Sequence, residues 1–426
     1  NGGLCTETVY GYNSDKNIST LKNIVTGLEQ TYSYVYDDNG NITGQSLTTA
    51  SRGEENQTVE ATDTTTYSYD NYNQLTAVEN DSTRWEYTYD GRGNILSKNE
   101  KAVTLDDNNE KVYTLKESGT DSYSYDSTWQ DKLVSYNGQS ITYDAMGNPT
   151  SYLVHNLSWT MGRQLASFDD ITYTYNENGI RTSKTVNEKT TLYYLDGTRL
   201  IETSDGANRI HINYDRNGEA IGFTHFYFGE REGDDPCAAN YTYIKNAQGD
   251  ITGIANIYGN VCVKYTYDPW GKLIGIESDF SQYDVDVSEL NPLRYRGYVY
   301  DDETGLYYLQ SRYYDPEVCR FINCDNVNYI GIAASELSYN AFAYCENDCI
   351  NECDPYGNIK FRKGAYFDEF TSYYYGGDDY TYNPKVKPSL KNKFMSSAWK
   401  IAATAVKRIY PDGYSFYMHY VNGKGK

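Results

Sequence analysis

The chain has 426 residues, a net charge of −22, and 49 tyrosines against 12 phenylalanines and 4 methionines. That length holds two or three domains; 39% apolar residues with abundant aromatics exclude a disordered chain, and no apolar run reaches the ~18 residues of a membrane span. Residues 358–426 carry 12 Lys and Arg against 5 Asp and Glu, whereas residues 1–357 carry 25 against 54, so an acidic body that repels nucleic acid and anionic membranes precedes a basic tail that attracts either, or the body itself.

The first residues, NGGLCTETVY, lack Met, a basic n-region and an apolar h-region. They read as a cut into a longer polypeptide, whose upstream part is an expected partner and would hold any signal peptide. A motif then recurs: YVYDDNGNIT (34–43), YSYDNYNQLT (67–76), YTYDGRGNIL (87–96), ITYDAMGNPT (141–150), YTYNENGIRT (173–182), INYDRNGEAI (212–221), YTYDPWGKLI (265–274) and YVYDDETGLY (298–307). The nearest copies lie about 18–20 residues apart, within the range of repeat architectures, and longer gaps hold two units or a decayed one. Tyr-x-Tyr puts both rings on one face of a strand. The Asp bonds the backbone two residues on and starts a turn; the Gly supplies a left-handed conformation; the apolar residue after it begins the return strand. Each unit is thus a β-hairpin, with helices nearly absent before residue 330. Single hairpins are marginal, so they must stack edge to edge into a long sheet that twist curls into a spiral or barrel. A generic β-solenoid with an aromatic ladder, or a sugar- or choline-binding array, fits the same pattern, although the chain has only 5 Trp for the latter. His155, His211 and His225, scattered among the repeats, read as structural.

These Tyr-Asp units resemble the YD repeats of Rhs proteins. The stretches NPLRYRGYVYDDETGLYYLQSRYYDPEVCRFINCD (291–325) and LSYNAFAYCENDCINECDPYG (337–357) closely resemble the Rhs repeat-associated core of polymorphic toxins and wall-associated proteins. The resemblance implies an all-β fold: a spiral sheet of YD-repeat hairpins (1–285) forming part or all of a hollow shell, a core plug (286–357), and a variable, small α+β tail (358–426) held inside as effector cargo. It also implies that the core acts as an aspartyl protease on its own chain. By motif, the catalytic residues are Arg312 of SRYYDP, Asp325 closing FINCD, and Asp354 of DPYG, with Asn358–Ile359 as the bond cut. Two close carboxylates share a proton, so one activates water while the other donates, and an arginine stabilises negative charge. The chain departs from cleaving relatives at Cys349, where Pro is usual, and at Asn358, where Leu is usual. The alternative is that both aspartates cap turns and Arg312 pairs with a carboxylate.

Five of the eight cysteines fall within 319–353. If the chain is exported, disulfides from Cys319 or Cys324 to Cys349 or Cys353 would pin the plug; free thiols or a zinc site are the alternatives, although Cys-x3-Cys-x3-Cys is not a standard knuckle.

In the tail, residues 358–388 read as strand or irregular loop. Ser389 caps, and Pro411 with Gly413 ends, an amphipathic helix whose apolar face runs from Leu390 to Ile409. Lys407 and Arg408 suit its C-terminal dipole and, with His419 of the terminal strand, are candidate effector residues for a metal-independent nuclease; a packed helix and a surface histidine are the plainer readings. No cofactor and no metal is expected. The expected function is that of the C-terminal part of a secreted or cell-surface toxin. Its partners would be the tail as cargo and a small immunity protein, with nucleic acid or membrane contacted by the tail alone. The alternative is a non-enzymatic structural or adhesive surface protein whose tail is only a cap.

Overall fold

The computed structural model describes residues 6–52, 58–227, 237–278, 286–333 and 335–362. Twenty-four strands, from Thr6–Tyr12 to Leu273–Ser278, form one sheet. Each strand pairs antiparallel with the next in sequence. In such a meander alternate turns fall on the same edge. The turns opened by Asp37, Asp70, Asp90, Asp126, Asp144, Asn176, Asp215, Asn246 and Asp268 therefore share one edge. Among the described residues the one α-helix is Val287–Leu290.

The Asp-Gly turn forms for a local reason. Asp90 Oδ1 accepts from the backbone N–H of Arg92 at 2.8 Å and of Asn94 at 2.9 Å. Its Oδ2 accepts from Asn94 Nδ2 at 2.8 Å, and Gly93 between them adopts φ +77°. Asp37, Asp144 and Asp268 repeat the arrangement. Asn176 does so too, because an amide oxygen accepts as a carboxylate does. The ladder shifts register just before the turn, as between Thr88 and Tyr89, which bends the strand locally.

Tyrosine rather than phenylalanine follows from what the second ring of each Tyr-x-Tyr does. Its hydroxyl donates to the carbonyl of the apolar residue that opens an earlier return strand. Tyr69 reaches Ile42 O at 2.7 Å, Tyr89 reaches Leu75 O at 2.5 Å, Tyr125 reaches Ile95 O at 2.7 Å and Tyr267 reaches Ile251 O at 2.9 Å. Each such bond stabilises by about 1 kcal/mol, and together they stitch the units at the turn edge. The first ring is buried, as at Tyr34, Tyr87, Tyr123 and Tyr173.

The sheet curls until its ends meet. Thr26 N–H donates to Gly259 O at 3.0 Å, Asn23 Nδ2 to Lys245 O at 2.8 Å, and Ala247 N–H to Tyr34 Oη at 3.1 Å. Val25 and Leu28 pack there on Ile244, Ala255 and Val261. Residues 286–362 leave the meander and form two small sheets, of four strands and of two. The segment 298–307, which has the repeat's sequence, belongs to the four-stranded sheet and not to the spiral: Val299–Asp301 pairs with Leu306–Leu309.

This C-terminal segment plugs the turn edge. Asn351 Oδ1 accepts from Ile42 N–H at 2.8 Å. Asn347 Nδ2 donates to Gln74 Oε1 at 2.9 Å and Gly93 O at 2.8 Å. Arg320 donates to Asp131 O at 2.7 Å, Cys324 N–H to Gly147 O at 3.0 Å, and Arg296 to Gln248 O at 2.8 Å. Tyr314 and Tyr307 reach Trp270 O and Gly271 O, both at 2.8 Å. The main core joins these plug tyrosines to the buried first rings of the repeats. Cys319, Cys324 and Cys349 are buried free thiols, so the considered disulfides from Cys319 or Cys324 are not formed. Among the described residues no cluster of His, Cys, Asp and Glu has metal-holding geometry. Residues 363–426, on which the expected tail helix, His419, Lys407 and Arg408 fall, lie outside the described residues.

Candidate self-cleavage site

Three plug segments bring the predicted residues together. Arg312 opens the strand Arg312–Asp315, Asp325 follows the strand Arg320–Phe321, and Asp354 follows the strand Glu352–Cys353. One nitrogen of Arg312, Nη2, lies 3.1 Å from Asp325 Oδ2 and 3.3 Å from Asp354 Oδ2. The guanidinium is fixed by Nη1 donating to Ala341 O at 3.2 Å, by Nε donating to Gly357 O, and by the Phe321 ring 3.5 Å beneath it. All three side chains are buried.

The chain turns sharply after DPYG and passes directly over this pair. Gly357 sits at φ +72°, and a Cβ there would lie 2.5 Å from Leu309 O, so only glycine allows the approach. Asp354 Oδ1 then accepts from the N–H of Asn358 at 3.0 Å and of Ile359 at 3.1 Å. The carboxylate thus touches the nitrogen that would leave if Asn358–Ile359 were cut. Ser311 Oγ lies 2.8 Å from Tyr356 O and 2.7 Å from Gly357 O. With its amide oriented to suit its neighbours, Asn358 Nδ2 donates to Ser311 Oγ at 2.8 Å, Gly357 O at 3.2 Å and Asp325 Oδ1 at 3.3 Å.

Burial pushes Asp325 up to about 6, with the Asp354 charge adding to it and Arg312 opposing. Burial also raises Asp354, against Arg312 and the backbone donors of Asn358, Ile359 and Gly357. Burying two carboxyls beside one cation disfavours ionising both at once, so the pair keeps a proton to higher pH than free aspartates do. Two carboxyls so disposed can in principle act as general acid and general base at an adjacent peptide bond. The turn-cap and ion-pair roles weighed for Asp354 and Arg312 are present in the same geometry. The structure brings together Arg312, Asp325 and Asp354, the residues expected from the sequence, beside the peptide bond Asn358–Ile359; Ser311 and the Asn358 amide were not singled out as parts of the site. The SRYYDP motif contains Ser311, but no spacing rule tied it to DPYG.

An antiparallel spiral whose repeat turns converge on a C-terminal plug defines a repeat-shell class of protein. No protein-family model matches the chain. It is 33% identical over 298 residues to the tRNA nuclease WapA of Bacillus subtilis (strain 168), covering 68% of this chain and 12% of that protein. It is 32% identical over 302 residues to the tRNA3(Ser)-specific nuclease WapA of Bacillus spizizenii, again covering 68% and 12%. Its fold is similar to the Photorhabdus luminescens Tc holotoxin pore structure, with TM-score 0.56 at 18% identity over 84% of this chain and 18% of that one. The chain belongs to the Rhs/YD-repeat family. It spans 12% of the length of these curated relatives.

Proposed function

We propose that the chain is the C-terminal part of an Rhs-type toxin of the secreted or cell-surface kind: residues 1–285 form shell, 286–357 the plug, and 358–426 the cargo, which is released once by cutting Asn358–Ile359. One observation carries the reading: Asp325 and Asp354 share Arg312 Nη2 while Asp354 Oδ1 accepts the N–H of Ile359. In hydrolysis, Asp325 takes a proton from water as its oxygen adds to the Asn358 carbonyl carbon, and protonated Asp354 gives its proton to the departing Ile359 nitrogen. A single turnover suffices. Opposite charge on body and tail favours retention after the cut, so salt should loosen the tail. A small immunity protein is the expected partner of a toxic tail, and the nuclease relatives support nucleic acid as its target.

The test is to express the whole chain and sequence its products. A fragment beginning at Ile359 that is missing from Asp354→Asn supports the proposal; a chain intact after prolonged incubation at pH 5–7 rejects the self-cleavage. Expressing residues 359–426 alone in bacteria separates the effector from the cap: growth arrest supports the former and harmless expression the latter.

A further inference from the structure

Resting on the self-cleavage reading, we infer that the nucleophile is not water but the side-chain amide of Asn358, so that the chain cuts itself by closing a succinimide ring. Asparagine is the residue whose side-chain nitrogen closes a five-membered ring on its own main-chain carbonyl carbon, and the bond that breaks is the one to the next residue, Ile359. The surroundings suit this step at each atom that moves. Nδ2 is 3.3 Å from Asp325 Oδ1 and 2.8 Å from Ser311 Oγ, so a base and an orienting hydroxyl flank the attacking nitrogen. The leaving nitrogen is 3.1 Å from Asp354 Oδ1, so an acid flanks the departing one. Arg312 holds both carboxyls on one nitrogen, and its Nε with Ser311 Oγ pins the Gly357 carbonyl just upstream.

The step starts with a rotation about χ1 that carries Nδ2 from Gly357 O to the Asn358 carbonyl carbon. The Nδ2–C bond forms as Asp325 accepts a proton from Nδ2. The C–N bond to Ile359 breaks as protonated Asp354 donates to the Ile359 nitrogen. One N–C bond forms and one breaks, one proton is taken up and one delivered, and no water is consumed. The residue after the asparagine also matters. The competing reaction, attack of the Ile359 nitrogen on the Asn358 side chain, is hindered by branching at Ile359 Cβ and by the engagement of that N–H with Asp354. The intramolecular attacker brings the effective-concentration advantage of a group already in place.

The mass of the N-terminal fragment decides the matter. The whole chain is purified under denaturing conditions, refolded, and sampled over time at pH 6. Ring closure predicts a fragment ending at residue 358 that is first lighter by one water than the free acid and is trapped by hydroxylamine. A fragment that carries the full acid mass and solvent oxygen-18 from the earliest time point overturns the inference and leaves hydrolysis by the aspartate pair standing. Asn358→Ala gives the second reading. Cleavage should be lost while the thermal transition is unchanged, whereas cleavage at the wild-type rate overturns the inference. A wild-type chain that stays whole sinks the self-cleavage reading and this inference together.

Discussion

Arg181 and Asp301 form an ion pair in which neither side chain is exposed, with Nη1–Oδ2 at 2.5 Å and Nη2–Oδ1 at 3.0 Å. The first residue lies on the spiral, one past a repeat turn, and the second on the plug. The pair is therefore a weld between the two parts. Lys184 Nζ adds a third charge 3.1 Å from Asp301 Oδ1.

Removing one partner leaves the other buried and uncompensated. Asp301→Asn should cost about 3–5 kcal/mol, measured as a drop in the urea midpoint of the whole chain. The double variant Arg181→Met with Asp301→Leu should lose much less than Asp301→Asn alone. Burial disfavours the Asp301 charge, but Arg181 and Lys184 outweigh it and hold this carboxyl below its usual range. Its stabilisation is thus complete above the unfolded carboxylate value and is lost as pH falls through the lower folded value.

Asp325 gives the opposite slope. Its folded value of about 6 lies above the 3.8 of a free aspartate, so between these values the folded state binds more protons than the unfolded one. Stability should fall as pH rises through that window, by on the order of 2–3 kcal/mol. Asp325→Asn should flatten that part of the profile. The remaining slope should run to higher pH, because burial and the Glu352 charge push Asp348 up to about 7. A profile unchanged by Asp325→Asn would contradict a raised, buried Asp325 carboxyl.

The two tyrosines of one unit should respond differently to losing their hydroxyls. Tyr89→Phe removes the donor to Leu75 O and should cost about 1 kcal/mol. Tyr87→Phe should be neutral or slightly stabilising, since the buried Tyr87 hydroxyl has no hydrogen-bond partner among the described residues. Thermal melts of the two variants side by side check this.

Gly357→Ala should separate fold from site. The new methyl meets Leu309 O and Ser311 Oγ, so residues 358–359 should lift away from Asp354. The expected result is loss of the fragment beginning at Ile359 with the spiral's β-sheet circular dichroism retained.

The repeat was legible because each turn is made by residues within five positions of one another. Three turns on the plugged edge were missed for the same local reason. At Asn13 asparagine stands for the aspartate and Lys16 for the glycine, although Asn13 Oδ1 still accepts from the N–H of Asp15 and Asn17. At Asp126 the loop runs to Lys132 without a glycine, and Asp126 bonds Thr128 and Trp129 instead. At Asn246 the second tyrosine is replaced by Lys245 and the aspartate by asparagine. The segment 298–307 carries the repeat's letters and forms a hairpin, but its Asp301 side chain faces Arg181 instead of capping the turn, and it lies in the core segment and not in the spiral. The long gaps proved to be of two kinds. Those from Asp144 to Asn176 and from Asn176 to Asp215 hold an extra hairpin; those from Asp37 to Asp70 and from Asp90 to Asp126 hold long strands, such as Thr58–Tyr69 and Lys111–Tyr125. At the candidate site, Arg312, Asp325 and Asp354 were reached through family resemblance. Their convergence depends on how separate segments of the plug fold back on one another, which no local pattern encodes.

The parity of the meander sorts where the molecule is free to drift. Every Asp-Gly corner that meets the plug sits on one rim, and the overlong strand Lys111–Tyr125 extends to the other, where most of its first half is exposed. Residues added in pairs along such a strand lengthen the far rim and leave the lock-side contacts untouched. A single-strand insertion would send all later corners to the wrong side. Growth of this chain by evolution or by engineering is therefore quantised: whole hairpins or far-rim extensions are admissible, and odd numbers of strands are not.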